Sequence, residues 1–151
     1  MSTITSIHVA PGRRLPMKSV DAVLAEAGRG LVGDRYHGAK HRHVTLQSAE
    51  ALALAGEDLG RAVPPEGTRR NVTVDVGEVP TAPGTRVRIG DCLLEVVRVA
   101  APCRLLDDNL GPGAAAALRR RAGTVFRVLE SGTLHVGDQV DWSPTDQEDA
   151  R

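Results

Sequence analysis

The chain is interrupted too often by turn residues to be built from helices. Eight short segments, "TSIHVA", "SVDAVLAEAG", "RHVTL", "RNVTVDV", "TRVRIG", "CLLEVVRVA", "TVFRVLES" and "TLHVGDQVDW", carry apolar residues in alternation or in short runs. Each is bounded by glycine, proline or aspartate, which is the pattern of β-strands, and many short strands in 151 residues favour a barrel or a sandwich. Val32-Gly33-Asp34, Ile89-Gly90-Asp91 and Val136-Gly137-Asp138 read as turns in which glycine supplies a positive φ. Two of them lie between strands, so "TRVRIGDCLLEV" and "GTLHVGDQVDW" are read as hairpins, and Ser131-Gly132 as a further tight connection.

Two helices interrupt the strands. Residues 48–59 start at the capping residue Ser48, carry Glu50 in the first turn and stop before Gly60. Residues 112–121 have Pro112 near the start, an alanine run, Arg119, Arg120 and Arg121 in the last turn, and Gly123 beyond. A helical turn is also expected over residues 104–109, and "RAVPPEGTRR" reads as a surface loop. The expected fold class is mainly β (α+β), with a few peripheral helices. Residues 1–143 form one domain in this reading and residues 144–151 a tail that frays.

Charge and composition exclude several functions. With 19 basic and 19 acidic residues the net charge is zero, so no bulk field draws the protein to nucleic acid or to an anionic membrane. Tyr36, Phe126 and Trp142 are too few for a base-stacking platform. No apolar run approaches membrane-spanning length and the N-terminus lacks signal-peptide character, which predicts a cytoplasmic location. There Cys92 and Cys103 stay free thiols.

Cys103 is the first candidate for chemistry. It follows Pro102 and precedes Arg104 where a strand gives way to a helix, and a helix start beside a cation favours the thiolate that acts as nucleophile or metal ligand. Asp107 and Asp108 act the other way if they face the sulfur. Cys92, inside the alternating "DCLLEV", reads as a small core residue. In "GRGLVGDRYHG", Asp34 and Arg35 either project toward a ligand, with Arg35 on an anion, or form an ordinary turn with a local ion pair. In "TRRNVTV", Arg69, Arg70 and Asn71 are either a phosphate grip or a solvated loop edge, and "LPMKS" offers Lys18 and Ser19 at a strand start. His37, His41 and His43 invite a metal site, but no acidic or thiol partner stands beside them in sequence.

Taken in order, "LPMKS", "GLVGDRYHG", "HVTLQSAEAL", "RRNVTV", "VRIGDCLLEV", "APC", "LGPG" and "GTLHVGDQV" resemble the MOSC domain, the C-terminal part of molybdenum cofactor sulfurases. The resemblance runs from about Lys18 to Trp142. It implies a β-barrel with a few added helices and a single cysteine at Cys103. In cofactor-binding members that cysteine coordinates molybdenum, and the positions matching Lys18, Ser19, Arg35, Arg69 and Asn71 hold the pterin and its phosphate. Those members read Arg-Pro-Asn where this chain has Arg69-Arg70-Asn71, and carry a threonine pair shortly after the cysteine where this chain has Leu105, Leu106 and Asp107. Longer relatives add a pyridoxal-phosphate-dependent desulfurase domain or a further β domain, and the present chain is similar to small stand-alone bacterial members.

Three functions compete on this reading. In the first, Cys103 is the metal ligand and catalytic centre of a molybdenum cofactor enzyme that reduces N-hydroxylated or similar small molecules with electrons from a donor protein. Lys18, Ser19, Asp34, Arg35, Arg69, Arg70, Asn71 and Arg104 are then its cofactor-binding set. In the second, Cys103 carries a persulfide received from a pyridoxal-phosphate-dependent cysteine desulfurase. In the third, the domain binds an anionic small molecule without chemistry.

Overall fold

The structure, a computed structural model, describes residues 2–13, 15–75, 77–100, 110–118 and 121–144. Its strands are β1 (Ser2–Val9), β2 (Lys18–Val20), β3 (Ala22–Glu26), β4 (Gly30–Leu31), β5 (Val44–Ser48), β6 (Val72–Val74), β7 (Arg86–Ile89), β8 (Cys92–Val99), β9 (Thr124–Glu130), β10 (Gly132–His135) and β11 (Gln139–Val140). Helix α1 spans Ala49–Leu59, a 3-10 turn spans Pro65–Thr68, and the short helix α2 spans Ala114–Ala117. Cys103, Arg104, Arg119, Arg120, the turn expected over 104–109 and residues 145–151 of the expected tail lie outside the described residues.

The protein is mainly β, as its sequence implies. One sheet runs β11-β1-β6-β5-β9-β8-β7 with β2 added on β1, and a smaller sheet runs β10-β3-β4. Neighbouring strands are antiparallel except β5 and β6, which are parallel and are joined through α1, since a parallel pair needs a long crossover. The large sheet curls until its two edges meet at a single bridge, where Arg88 and Asp141 exchange backbone hydrogen bonds of 2.9 and 2.8 Å. The edges share this one contact and no continuous ladder, so the expected barrel is realised as a curled sheet.

Inside the curl, Ile4, Ile7, Leu46, Ile89, Leu94 and Phe126 are almost wholly buried. Cys92 lies among them, as its place in an alternating strand implies. A second apolar cluster joins Leu52 and Ala55 of α1 to Val63, Ala114, Leu118 and Ala122. Ser48 caps α1 by accepting a hydrogen bond from the Ala51 N–H, and Gly60 ends it in the left-handed region at φ 75°.

One segment expected as a single strand is divided. "SVDAVLAEAG" splits at Asp21 because β2 pairs with β1 while β3 crosses to pair with β10 in the other sheet. "GTLHVGDQVDW", read as a hairpin, does turn at Gly137, but its arms β10 and β11 pair with β3 and β1 in different sheets and not with each other. The helix expected over residues 112–121 is only Ala114–Ala117, because Gly113 stands at φ 87° ahead of it and Leu118, at φ −88° and ψ 1°, leaves the helical conformation. Among the described residues no helix is long and apolar enough to cross a membrane.

Candidate functional site

The segments singled out in the sequence come together around the C-terminal end of β1. Strand β2 lies on that end with Val9 opposite Lys18 and His8 opposite Ser19, and both Lys18 and Ser19 are exposed. The next residue, Ala10, is held on both sides by the loop after β4. Its N–H donates to Asp34 Oδ1 at 2.8 Å, and its carbonyl accepts from the Arg35 N–H at 2.8 Å. Gly33, at φ 92°, makes the turn that brings Asp34 inward and leaves Arg35 exposed.

Asp34 and Asn71 are the buried frame of this arrangement. The Asp34 carboxylate accepts from Ala10, from the Tyr36 N–H at 3.2 Å and from Asn71 Nδ2 at 3.2 Å. Asn71 also donates through Nδ2 to the His8 carbonyl at 3.0 Å, and its Oδ1 accepts from the Thr45 N–H and hydroxyl at 3.0 and 3.1 Å. Every hydrogen-bonding valence of that carboxamide is thus engaged inside the protein. Asn71 ties β1, β5 and the Asp34 loop into one unit, and the polar residues of the site are positioned by it.

Arg69 and Arg70 leave the 3-10 turn in different directions. Arg69 sits at φ 65° and donates to the Leu15 carbonyl, which draws the 11–17 loop toward the same rim. Arg70 is only 4% exposed and donates through Nε to the Ala122 carbonyl at 2.7 Å. It therefore braces the start of β9 from inside. The two residues that flank 101–109 each meet a distant part of the chain. The Ala100 N–H donates to the Gly123 carbonyl at 2.9 Å, and a Cβ on Gly67 would lie 2.4 Å from the Leu110 side chain.

Two histidines carry information the sequence did not yield. His8 is 6% exposed and its Nδ1 has no hydrogen-bond partner among the described residues. Burial holds its pKa below the usual histidine value, with Glu66 acting weakly the other way. His43 accepts at Nδ1 from the Val128 N–H at 2.9 Å and contacts the Ala39 carbonyl through Nε2 at 2.7 Å. That geometry fixes the neutral Nε2–H tautomer, and burial pushes its pKa down as well. Both His43 nitrogens are occupied and His37 pairs with Glu26 at 2.6 Å, so the three-histidine metal site considered from the sequence is not assembled. Among the described residues no group of three His, Cys, Asp or Glu side chains could hold a metal.

A cavity of about 740 Å³ lies elsewhere, lined by Ser48, Glu50, Glu78, Val99 and Thr124 among others. It opens at the Ser48 end of β5, whereas Asn71 is bound at Thr45 near the other end. Of the site residues read from the sequence, none of those among the described residues lines it. Its described lining carries two carboxylates, Glu50 and Glu78, and one guanidinium, Arg121.

The family model for the MOSC domain matches residues 33–141. Among curated protein sequences none matches the chain. The fold is similar to that of the YuaD protein from Bacillus subtilis, with a TM-score of 0.81 at 17% identity over 93% of this chain and 94% of that one. It is also similar to YiiM from Geobacillus stearothermophilus, with a TM-score of 0.73 at 19% identity over 95% of this chain and 76% of that one. YiiM from Escherichia coli gives a TM-score of 0.68 at 19% identity, over 95% and 70% of the respective chains.

Proposed function

The chain belongs to the MOSC domain family, and on that premise we propose that it holds molybdenum cofactor through the Cys103 thiolate and supports reduction of N-hydroxylated or similar small molecules. The observation that carries this reading is the gathering of Lys18, Ser19, Arg35 and Arg69 from separated segments around the end of β1. The fit to an anionic pterin is chemical. Exposed cations and a hydroxyl suit its phosphate, and the buried Nδ1 of His8, unpartnered among the described residues, is a polar atom that a ligand would satisfy.

In this proposal Lys18, Ser19, Arg35, Arg69 and Arg104 hold the phosphate and pterin edges, and Cys103 supplies the soft ligand that suits molybdenum. Asp34, Arg70 and Asn71 keep those groups in register by binding the protein to itself. The cofactor, when bound, supplies the two-electron redox chemistry, and the protein supplies binding, orientation and local electrostatics. Loss of oxygen from an N-hydroxyl group consumes an electron pair and protons and releases water, so a donor protein is a required partner.

Elemental analysis tests the reading directly. Protein expressed with the cofactor available should carry molybdenum, Cys103→Ser should lose it, and Lys18→Ala or Arg69→Ala should lower the occupancy. A metal-free wild-type protein under those conditions would overturn it. A second reading, persulfide transfer on Cys103 from a pyridoxal-phosphate-dependent desulfurase, is favoured to the extent that the other thiol is silent. Burial pushes the Cys92 pKa up to about 12, so a sulfur adduct seen by intact mass spectrometry would belong to Cys103.

A further inference from the structure

A cluster of positive charge lies beside this rim and uses two arginines that the cofactor reading does not. Tyr36 is the only tyrosine in the chain. The guanidinium carbons of Arg35 and Arg42 each lie 4.4 Å from its ring centroid, and Arg35 donates to its hydroxyl. One cation over an aromatic ring is attractive, but two on the same ring repel each other. Arg42 is the more enclosed of the pair, and its Nε is buried without a hydrogen-bond partner among the described residues.

Arg98, near the end of β8, stands opposite Val125 of β9, which stands opposite Thr45 of β5, three residues after Arg42. Burial is the main cause that holds the Arg42 pKa below its ordinary value; Arg98 and Arg35 add to the depression, while Tyr36 and Asp34 oppose it. Among the described residues no carboxylate forms an ion pair with Arg35, Arg42 or Arg98. Asp34 is the acid that acts on Arg42, and its oxygens are already taken by N–H groups of Ala10, Tyr36 and Asn71. The fold therefore holds Arg35 and Arg42 on one ring and Arg98 on a nearby strand, and none of the three has an ion-pair partner among the described residues. An oxyanion would relieve that repulsion and satisfy the orphaned Nε, and guanidinium forks match phosphate oxygens in pairs.

We infer that Arg42 and Arg98, together with Arg35 around Tyr36, form a binding site for the phosphate group of a small phosphorylated molecule, separate from the grip of Lys18, Ser19 and Arg69. The site shares only Arg35 with the proposed cofactor set and does not involve Cys103. Guanidinium groups already cover the aromatic ring, so the phosphate is recognised and an attached base is not stacked upon.

The single tyrosine gives the test its probe. Full-length protein containing 3-fluorotyrosine yields one fluorine resonance, from residue 36. It is titrated at constant ionic strength with inorganic phosphate, AMP and adenosine. Phosphate and AMP are expected to shift the resonance saturably, with AMP at least as tight, and adenosine is expected to leave it unmoved. Arg42→Gln and Arg98→Gln should each weaken binding about tenfold or more, the loss that follows when a charge-assisted hydrogen bond is removed. Arg98 is exposed on its strand, so its variant keeps the fold and the comparison stays readable. Lys18→Ala should change the affinity by less than about twofold.

No saturable shift, or equal shifts in both arginine variants, would overturn the assignment. Binding lost in Lys18→Ala and kept in Arg42→Gln would move the anion to the other grip and likewise end it. Phosphate binding without AMP binding would refute the ester. Molybdenum content measured on the same samples separates the two proposals, since metal-free protein that still binds AMP through Arg42 sinks the cofactor reading alone.

Discussion

At the scale of single residues, the direction in which a side chain points decides what it can do. Asn71 and Asp34 stand at positions where a sequence offers either a ligand grip or a loop edge, and the structure turns both inward onto backbone and each other. Arg42 and His8, which carried no local signal, each hold a buried nitrogen with no hydrogen-bond partner among the described residues. Cys92 follows its sequence pattern: it has no exposed surface, and burial raises its pKa to about 12, with Glu130 adding to the rise and Arg88 opposing it. In Cys103→Ser protein, iodoacetamide should therefore add nothing to the folded chain and one label per chain after denaturation, as read by intact mass. Label on the folded variant would mean that the Cys92 sulfur is accessible.

At the scale of elements, turn chemistry was legible in the sequence and close approach was not. Glycine in the Val-Gly-Asp and Ile-Gly-Asp turns takes the positive φ expected of it. Gly123 reads in sequence as a helix stop, yet its decisive property is spatial. It sits at φ 90°, and a Cβ there would lie 2.1 Å from the Leu46 carbonyl oxygen, where β9 meets β5. Gly137 has a similar φ of 98° and nothing within 4 Å of an added Cβ. Gly137→Ala should thus cost only the conformational strain, about 1 kcal/mol. Gly123→Ala must also displace backbone and should cost more than about 2 kcal/mol. Urea unfolding of the two variants checks the difference, and equal losses would contradict the close packing of β9 on β5.

At the scale of the whole molecule, stability should depend on pH from both sides. His8 and His43 are buried neutral with pKa values below the ordinary 6.5, so below that pH the unfolded chain takes up protons that the folded one refuses. Their contribution is fully present above about pH 6.5 and is lost as pH falls toward the lowered folded values. Cys92 acts in the opposite direction: from its ordinary 9.0 upward the unfolded chain releases a proton that the folded one keeps until about 12. The unfolding free energy is expected to be highest between about pH 7 and 9 and to fall on either side. His43→Gln should lower the maximum and flatten the acid limb. An acid limb that keeps its slope in that variant, in urea titrations from pH 8 to 5, would mean that His43 is not held neutral.

The sequence by itself determined the β class, the caps of α1, the turns and the burial of Cys92. These follow from local periodicity and backbone preference, which neighbours in the chain are sufficient to set. Only the tertiary structure decided that "SVDAVLAEAG" serves two sheets, that the sheet edges meet at one bridge, and that Asn71 is spent on Thr45, His8 and Asp34. It also brought Arg42 and Arg35 onto one ring. Those outcomes depend on contacts between residues far apart in the chain, and no local pattern encodes which distant partner a polar group will meet.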